Sequence, residues 1–275
     1  MHIRVGYDIV YDCPGPTPMS LLLSVRPERH ADLVTPEIML IDPEIPVRRI
    51  HDPFGNVRTQ LVAPAGMVRF SSDFVVADAG LPDPDCTAAA QVPVEDLPDA
   101  LYVYLLASRY CEIDRLGSLA WALFGHLAPT GMRVQAICDY VHERIAFDYQ
   151  AARPTRTAFE ANEEGVGVCR DYAHLAIALC RCLHIPARYC TGYLGDIGVP
   201  PAGVMDFSAW FEVWLGGAWR TFDARHNFPR IGRIAMAHGR DAAEAAISTT
   251  FGLTGLERFD VIAEEVAPDF TRAIG

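Results

Sequence analysis

The stretch GVGVCRDYAHLAIALCRCLHIPARYCTGYLGDIG, residues 165–198, decides the fold. Tyr172, Leu175, Ala176, Leu179, Cys182 and Leu183 recur at helical spacing, so a helix buried on one side begins near Cys169. IPARYCTGYL then reads as a strand. Gly165 and Gly167 let the chain bend tightly before the helix. A thiol at that position faces unpaired backbone N–H groups and the positive end of the helix dipole, which lowers its pKa. The same groups, the N–H of Cys169 first among them, suit an oxyanion developing on a substrate carbonyl.

Downstream, MDFSAWFEVWLGGAWRTFDARHN (205–227) reads as two strands joined by a hairpin turn at LGGAW, with Asp223 at the end of the second. Upstream, TGMRVQAICDYVHERIAFDY (130–149) places Val134, Ile137, Cys138, Val141 and Ile145 on one stripe behind Thr130 as the cap. DALYVYLLASRYCEI (99–113) and SLAWALFGHL (118–127) read as helices. QAARPTRTAFEANEEGV (150–166) reads as an irregular approach to the cysteine. The C-terminal TTFGLTGLERFDVIAEEV adds one or two strands. Residues 1–80 read as short strands with turn residues between them, a small β-sandwich-like domain. Residues 81–98, rich in proline and acid, read as a linker. Residues 99–275 form the second unit, and the fold class is α+β.

Composition narrows the function. About half of the 275 residues are apolar and a fifth are charged, enough for a sizeable core. No apolar run approaches the length of a membrane span, and MHIRVGYDIVYDC lacks the features of a signal peptide, so a cytoplasmic protein without a membrane partner is expected. A net charge of -12 argues against nucleic acid. All 23 basic residues are arginine, which removes Schiff-base chemistry on the protein's own side chains. The eight cysteines form no C-x-x-C pair. Cys180 and His184 fall one helical turn apart, with Cys182 and Cys190 nearby, yet that helix is apolar enough to be core. No acidic loop has the pattern of a calcium site. No metal and no cofactor are expected.

GVCRDYAHLAIALCRCLHIPARYCTGY followed by AWFEVWLGGAWRTFD resembles the bacterial transglutaminase-like superfamily, whose core is similar to the papain-type thiol hydrolase fold. The resemblance runs over roughly residues 130–230, and the early strands look like the β-rich N-terminal domain often attached to these proteins. It implies a papain-like core of helices packed on an antiparallel sheet, a peptide or protein substrate, and a Cys-His-Asp triad. Cys169 matches the cysteine, and Asp223, in TFDAR, matches the aspartate.

The family's histidine stands immediately before AW, and here that position is Ser208. A serine cannot hold an extra proton near neutral pH, and loss of a general acid–base group costs about 10²–10⁴-fold in rate. His226, three residues after Asp223, is a candidate replacement. His174 lies about 140° around the helix from Cys169 and reads as part of the helix interface. Trp210 and Phe211 are candidate walls of a substrate cleft, and Asn162 and Gln150 are candidate oxyanion donors. Besides a metal-binding or redox role for the cysteines, two functions remain open. One is acyl transfer or cysteine protease-like hydrolysis of peptide or glutamine amides through a Cys169 thioester. The other is an impaired relative whose cleft binds a peptide or protein partner.

Overall fold

The computed structural model describes residues 1–201, 203, 205–268 and 270. The chain opens with six strands: β1 (His2–Cys13), β2 (Thr17–Leu21), β3 (Leu40–Asp42), β4 (Arg48–His51), β5 (Val57–Ala63) and β6 (Gly66–Ala77). In β1, Ile3, Val5, Tyr7 and Ile9 turn inward while Arg4 and Asp8 alternate with them toward solvent. Then come helices α1 (Ile113–Phe124) and α2 (Gly131–Arg144), the short β7 (Ala146–Phe147), α3 (Ala158–Glu164), β8 (Val166–Gly167) and α4 (Cys169–Cys182). The remaining strands are β9 (Ala187–Tyr193), β10 (Ser208–Leu215), β11 (Ala218–Phe222), β12 (Ile234–Gly239), β13 (Ser248–Thr250) and β14 (Gly255–Val266).

Helix α4 is the axis of the second half. Every residue from Asp171 to Cys182 is buried, which an amphipathic stripe alone would not require. The helix is flanked by α1, α2 and α3 and lies on an antiparallel sheet of order β11-β10-β9-β12. Ala187, Tyr189, Ala209, Phe211, Val213 and Ala237 share its apolar core. This is the expected α+β arrangement of helices on an antiparallel sheet. Thr130 caps α2 by accepting the Met132 N–H at 3.3 Å. The LGGAW turn places Gly216 and Gly217 at φ 59° and 80°, which side chains with a Cβ rarely adopt.

Three local readings change. Residues 99–113 are not one helix: a 3-10 segment spans Asp99–Leu105, and α-helix begins only at Ile113. The buried Arg181 takes the Leu106 carbonyl at 3.1 Å and the Ser108 hydroxyl at 3.0 Å, which holds that backbone out of a helix. Residues 150–166 are not wholly irregular, because α3 lies within them. Its Thr157 hydroxyl accepts the Glu160 N–H, the Glu160 carboxylate accepts the Thr157 N–H at 3.0 Å, and Gly165 at φ 66° ends the helix. Strand β12 was not anticipated.

The C-terminal strands cross the expected boundary between the two units. β14 pairs with β1 from His2↔Val266 onward, and β13 pairs with β2 at Ser248↔Leu21. The sandwich sheets are therefore β14-β1-β6-β3 and β13-β2-β5-β4, and residues 248–266 belong with the strands of residues 1–80. Without them β1 and β2 would present open edges. Residues 81–98 lie against the second half through bridges Ala90↔Thr130 and Gln91↔Leu215. The sandwich core also takes in Tyr193, Ile234 and Met236 from the other sheet, so the halves share apolar packing.

Candidate active site

Cys169 is the first residue of α4, with Val168 as the N-cap. Asp171 turns back so that its carboxylate accepts the Val168 N–H at 2.9 Å. This buried charge is balanced by Arg156 at 3.2 Å and Arg170 at 3.3 Å. The close return explains Gly167: a Cβ there would sit 2.7 Å from the Cβ of Asp171.

Cys169 is half-buried, whereas the other seven cysteines are buried. The lowered thiol expected from the helix terminus is not what the surroundings produce. Burial pushes the Cys169 thiol up to about 11. The Arg225 guanidinium and the N–H groups of Ala209 and Arg170 favour the thiolate, the Asp206 carboxylate opposes it, and burial outweighs them. The group is a thiol at neutral pH and needs a base in order to attack.

Asp223 follows the end of β11. Its Oδ1 accepts the N–H groups of Arg225 at 3.0 Å and His226 at 3.1 Å. Its Oδ2 accepts His226 Nδ1 at 2.8 Å and an Arg233 N–H at 2.8 Å. Burial opposes the charge, but the Arg233 guanidinium and His226 hold the carboxyl well below the usual carboxylate range. An ionised carboxylate only accepts hydrogen bonds, so Nδ1 carries the imidazole proton and Nε2 is the nitrogen left to exchange one.

Ser208 begins β10 opposite Gly192 and is buried, and among the described residues its hydroxyl has no hydrogen-bond partner. It lines a narrow cleft of about 40 Å³ together with His226, Arg225, Asp206, Tyr149 and Arg230. Arg225 and Asp206 are the side chains whose charges act on the Cys169 thiol, and the thiol in turn acts on Tyr149. These electrostatic links put the cleft in the neighbourhood of Cys169, which is not itself one of its lining residues. His226 lines the same cleft as Ser208.

The other sequence candidates fall elsewhere. Trp210 is buried and lines a separate cavity on the other face of the sheet, under the Arg233 guanidinium at 5.1 Å, so it is not a wall of this cleft. Phe211 is core and stacks on Phe222. Asn162 is buried in α3, where its Oδ1 accepts the Tyr140 hydroxyl at 2.7 Å and its Nδ2 donates to Glu163 at 3.2 Å; its amide is spent on structure rather than on an oxyanion. Gln150 sits in a short turn held by Asp148. His174 is fully buried, stacks on Tyr110, accepts the Ala242 N–H at 3.1 Å, and burial pushes it well below the usual imidazole range against the nearby Asp241 carboxylate. Asp206, Arg225 and Arg233 were not singled out. Asp206 and Arg225 each lie two residues from a motif position, the only signal available, and Arg233 gives none.

The model of the transglutaminase-like superfamily matches residues 120–224. An uncharacterized protein of Mycobacterium leprae is 32% identical over 103 residues, which span 36% of this chain and 37% of that relative's length. The crystal structure of a provisionally assigned cysteine protease from Cytophaga hutchinsonii superposes with a TM-score of 0.82 at 30% identity, covering 98% of this chain and 92% of that one. Sequence motif, fold and near-complete superposition agree: the chain belongs to the transglutaminase-like superfamily.

Proposed function

We propose that the protein is a thiol acyl-transfer enzyme acting on peptide or glutamine-type amides, with the Asp223–His226 pair supplying the acid–base group that position 208 lacks. The observation that carries this reading is the 2.8 Å contact between His226 Nδ1 and Asp223 at a cleft shared with Ser208. As the Cys169 sulfur bonds to the substrate carbonyl carbon, its proton passes to Nε2 of His226. Collapse of the tetrahedral adduct breaks the C–N bond, and the imidazolium returns the proton to the leaving amine. The thioester is then resolved by water or an amine. N–H groups at the start of α4 stabilise the oxyanion. The provisional description of the Cytophaga relative as a cysteine protease supports hydrolysis as the default outcome.

The elevated thiol and the narrow cleft favour a second reading, in which the site binds a peptide or protein without turning it over. A panel of peptide p-nitroanilides, glutamine peptides and activated esters separates the two. The enzyme reading requires turnover that disappears in Cys169→Ala and falls about 10²–10⁴-fold on amides in His226→Ala, with a smaller loss on esters, whose leaving groups need no proton. Binding without turnover, or turnover indifferent to His226, refutes it.

A further inference from the structure

On the sheet face turned away from α4, Cys190 of β9 pairs across to His238 of β12, and Glu212 lies on the neighbouring β10. One donor atom from each of these three side chains lies within 4.8 Å of the others. We propose that Cys190, Glu212 and His238 bind a divalent cation of the zinc class. This does not depend on the acyl-transfer reading.

The strongest observation is His238. It is 6% exposed, and neither ring nitrogen has a hydrogen-bond partner among the described residues. A buried imidazole with both nitrogens unpaired is costly, and a metal ion satisfies one of them. The residue is fixed by its backbone: Asn56 Oδ1 accepts its N–H at 2.8 Å, and Asn56 Nδ2 donates to its carbonyl at 2.7 Å. That leaves the ring free of a structural duty. Arg188 donates both Nε and Nη2 to Glu212 Oε2, at 2.7 and 2.5 Å, which leaves Oε1 to ligate while the arginine orients the carboxylate.

Thiolate, imidazole and carboxylate are together a zinc ligand set, and three protein ligands leave one coordination position open. Zinc bonds of about 2.0–2.3 Å place tetrahedral ligands about 3.3–3.8 Å apart, so the side chains draw together by about 1 Å. The Cys190 S–H releases its proton to solvent as the metal–sulfur bond forms, and thiolate plus carboxylate then neutralise the dication. Arg26, Arg29, Arg188 and Arg233 line a cavity of about 310 Å³ together with Glu212 and His238. Arg26 is held by Glu28, Arg29 by Asp32 and Asp78, and Arg233 by Asp83 and Asp223, while Arg188 shares the Glu212 carboxylate with the ion.

The full chain, stripped with chelator, is titrated with Co²⁺ and then Zn²⁺. The expected result is one equivalent of cobalt with tetrahedral visible bands and a near-ultraviolet thiolate charge-transfer band, both displaced by zinc. Cys190→Ser removes the charge-transfer band, Glu212→Gln weakens affinity at least tenfold, and Cys169→Ser changes neither. Glu212→Gln keeps the side chain's shape at a partly exposed position, so it tests the site even if the buried variants do not fold. No stoichiometric uptake, a band that follows Cys169 instead of Cys190, or unchanged affinity in Glu212→Gln overturns the assignment.

Discussion

Cys169 should be a slow nucleophile in the resting protein, and its speed should be set by two side chains pulling in opposite directions. A thiol titrating at about 11 is ionised in about one molecule in 3,000 at pH 7.5, against about one in ten for an ordinary cysteine. That is a deficit of about 300-fold. A more basic thiolate is the better nucleophile, with a Brønsted slope near 0.45, which returns about tenfold. Reaction with methyl methanethiosulfonate should therefore run about 30-fold slower than with a free cysteine at pH 7.5. It should rise about tenfold per pH unit until near pH 10. Asp206→Asn removes a charge that opposes the thiolate and should speed the reaction, while Arg225→Ala should slow it. Peptide mapping by mass spectrometry separates Cys169 from Cys182, which burial also pushes up to about 11 but which is more buried than Cys169 and should react more slowly still. A rate that is flat between pH 5 and 8 would mean a pre-formed thiolate–imidazolium pair. That result, or both substitutions moving the rate the same way, refutes the reasoning.

Three further outcomes follow from the same geometry. Ser208→His alone should crowd the cleft that His226 already enters, lowering stability by about 1–3 kcal/mol without raising turnover; combined with His226→Ala it should recover activity lost in His226→Ala, as read on the amide panel and by thermal unfolding. Arg233→Met leaves Asp83 and Asp223 without their shared cation and should cost about 3–5 kcal/mol in urea unfolding at pH 7. Because the native Asp223 carboxyl titrates below its ordinary range, the stability it contributes is complete above about pH 4 and is lost as pH falls, so the variant should show less of this acid loss. His174 is held neutral in the fold but charges at about pH 6.5 when unfolded, so stability should fall below pH 6.5 by up to about 1.4 kcal/mol per pH unit, and His174→Gln should flatten that slope.

The helix at Cys169, the strands on either side of Ser208 and the place of Asp223 were legible because each rests on local periodicity or a fixed motif spacing. The His226 pairing was also within reach, since a residue three positions beyond a strand end turns back on the residue at that end. The thiol's basicity was not legible. A helix terminus is visible in sequence, but the burial of the thiol and the charges of Asp206 and Arg225 that act on it depend on segments distant in the chain. Trp210 shows a subtler limit. Its neighbours Ala209 and Phe211 face α4, so strand alternation sends the indole to the other side. Asn162 was chosen for its chemistry alone, without the α3 helix that occupies its amide. The Cys190–Glu212–His238 group was hidden for the same reason as Arg233, because β12 has no flanking motif to reveal its register.

The pairing of His2 with Val266 has a consequence for how the molecule is made. β1 leaves the ribosome about 250 residues ahead of β14 and must wait for that strand before its outer hydrogen bonds are met. During that interval the thiol-bearing half, whose contacts are more local, is free to assemble first, while the amino-terminal ribbon stays exposed to other chains. Translation stalled or cut short after β12 would yield an assembled thiol-bearing half carrying two unsatisfied strand edges, a species prone to association and suited to chaperone capture.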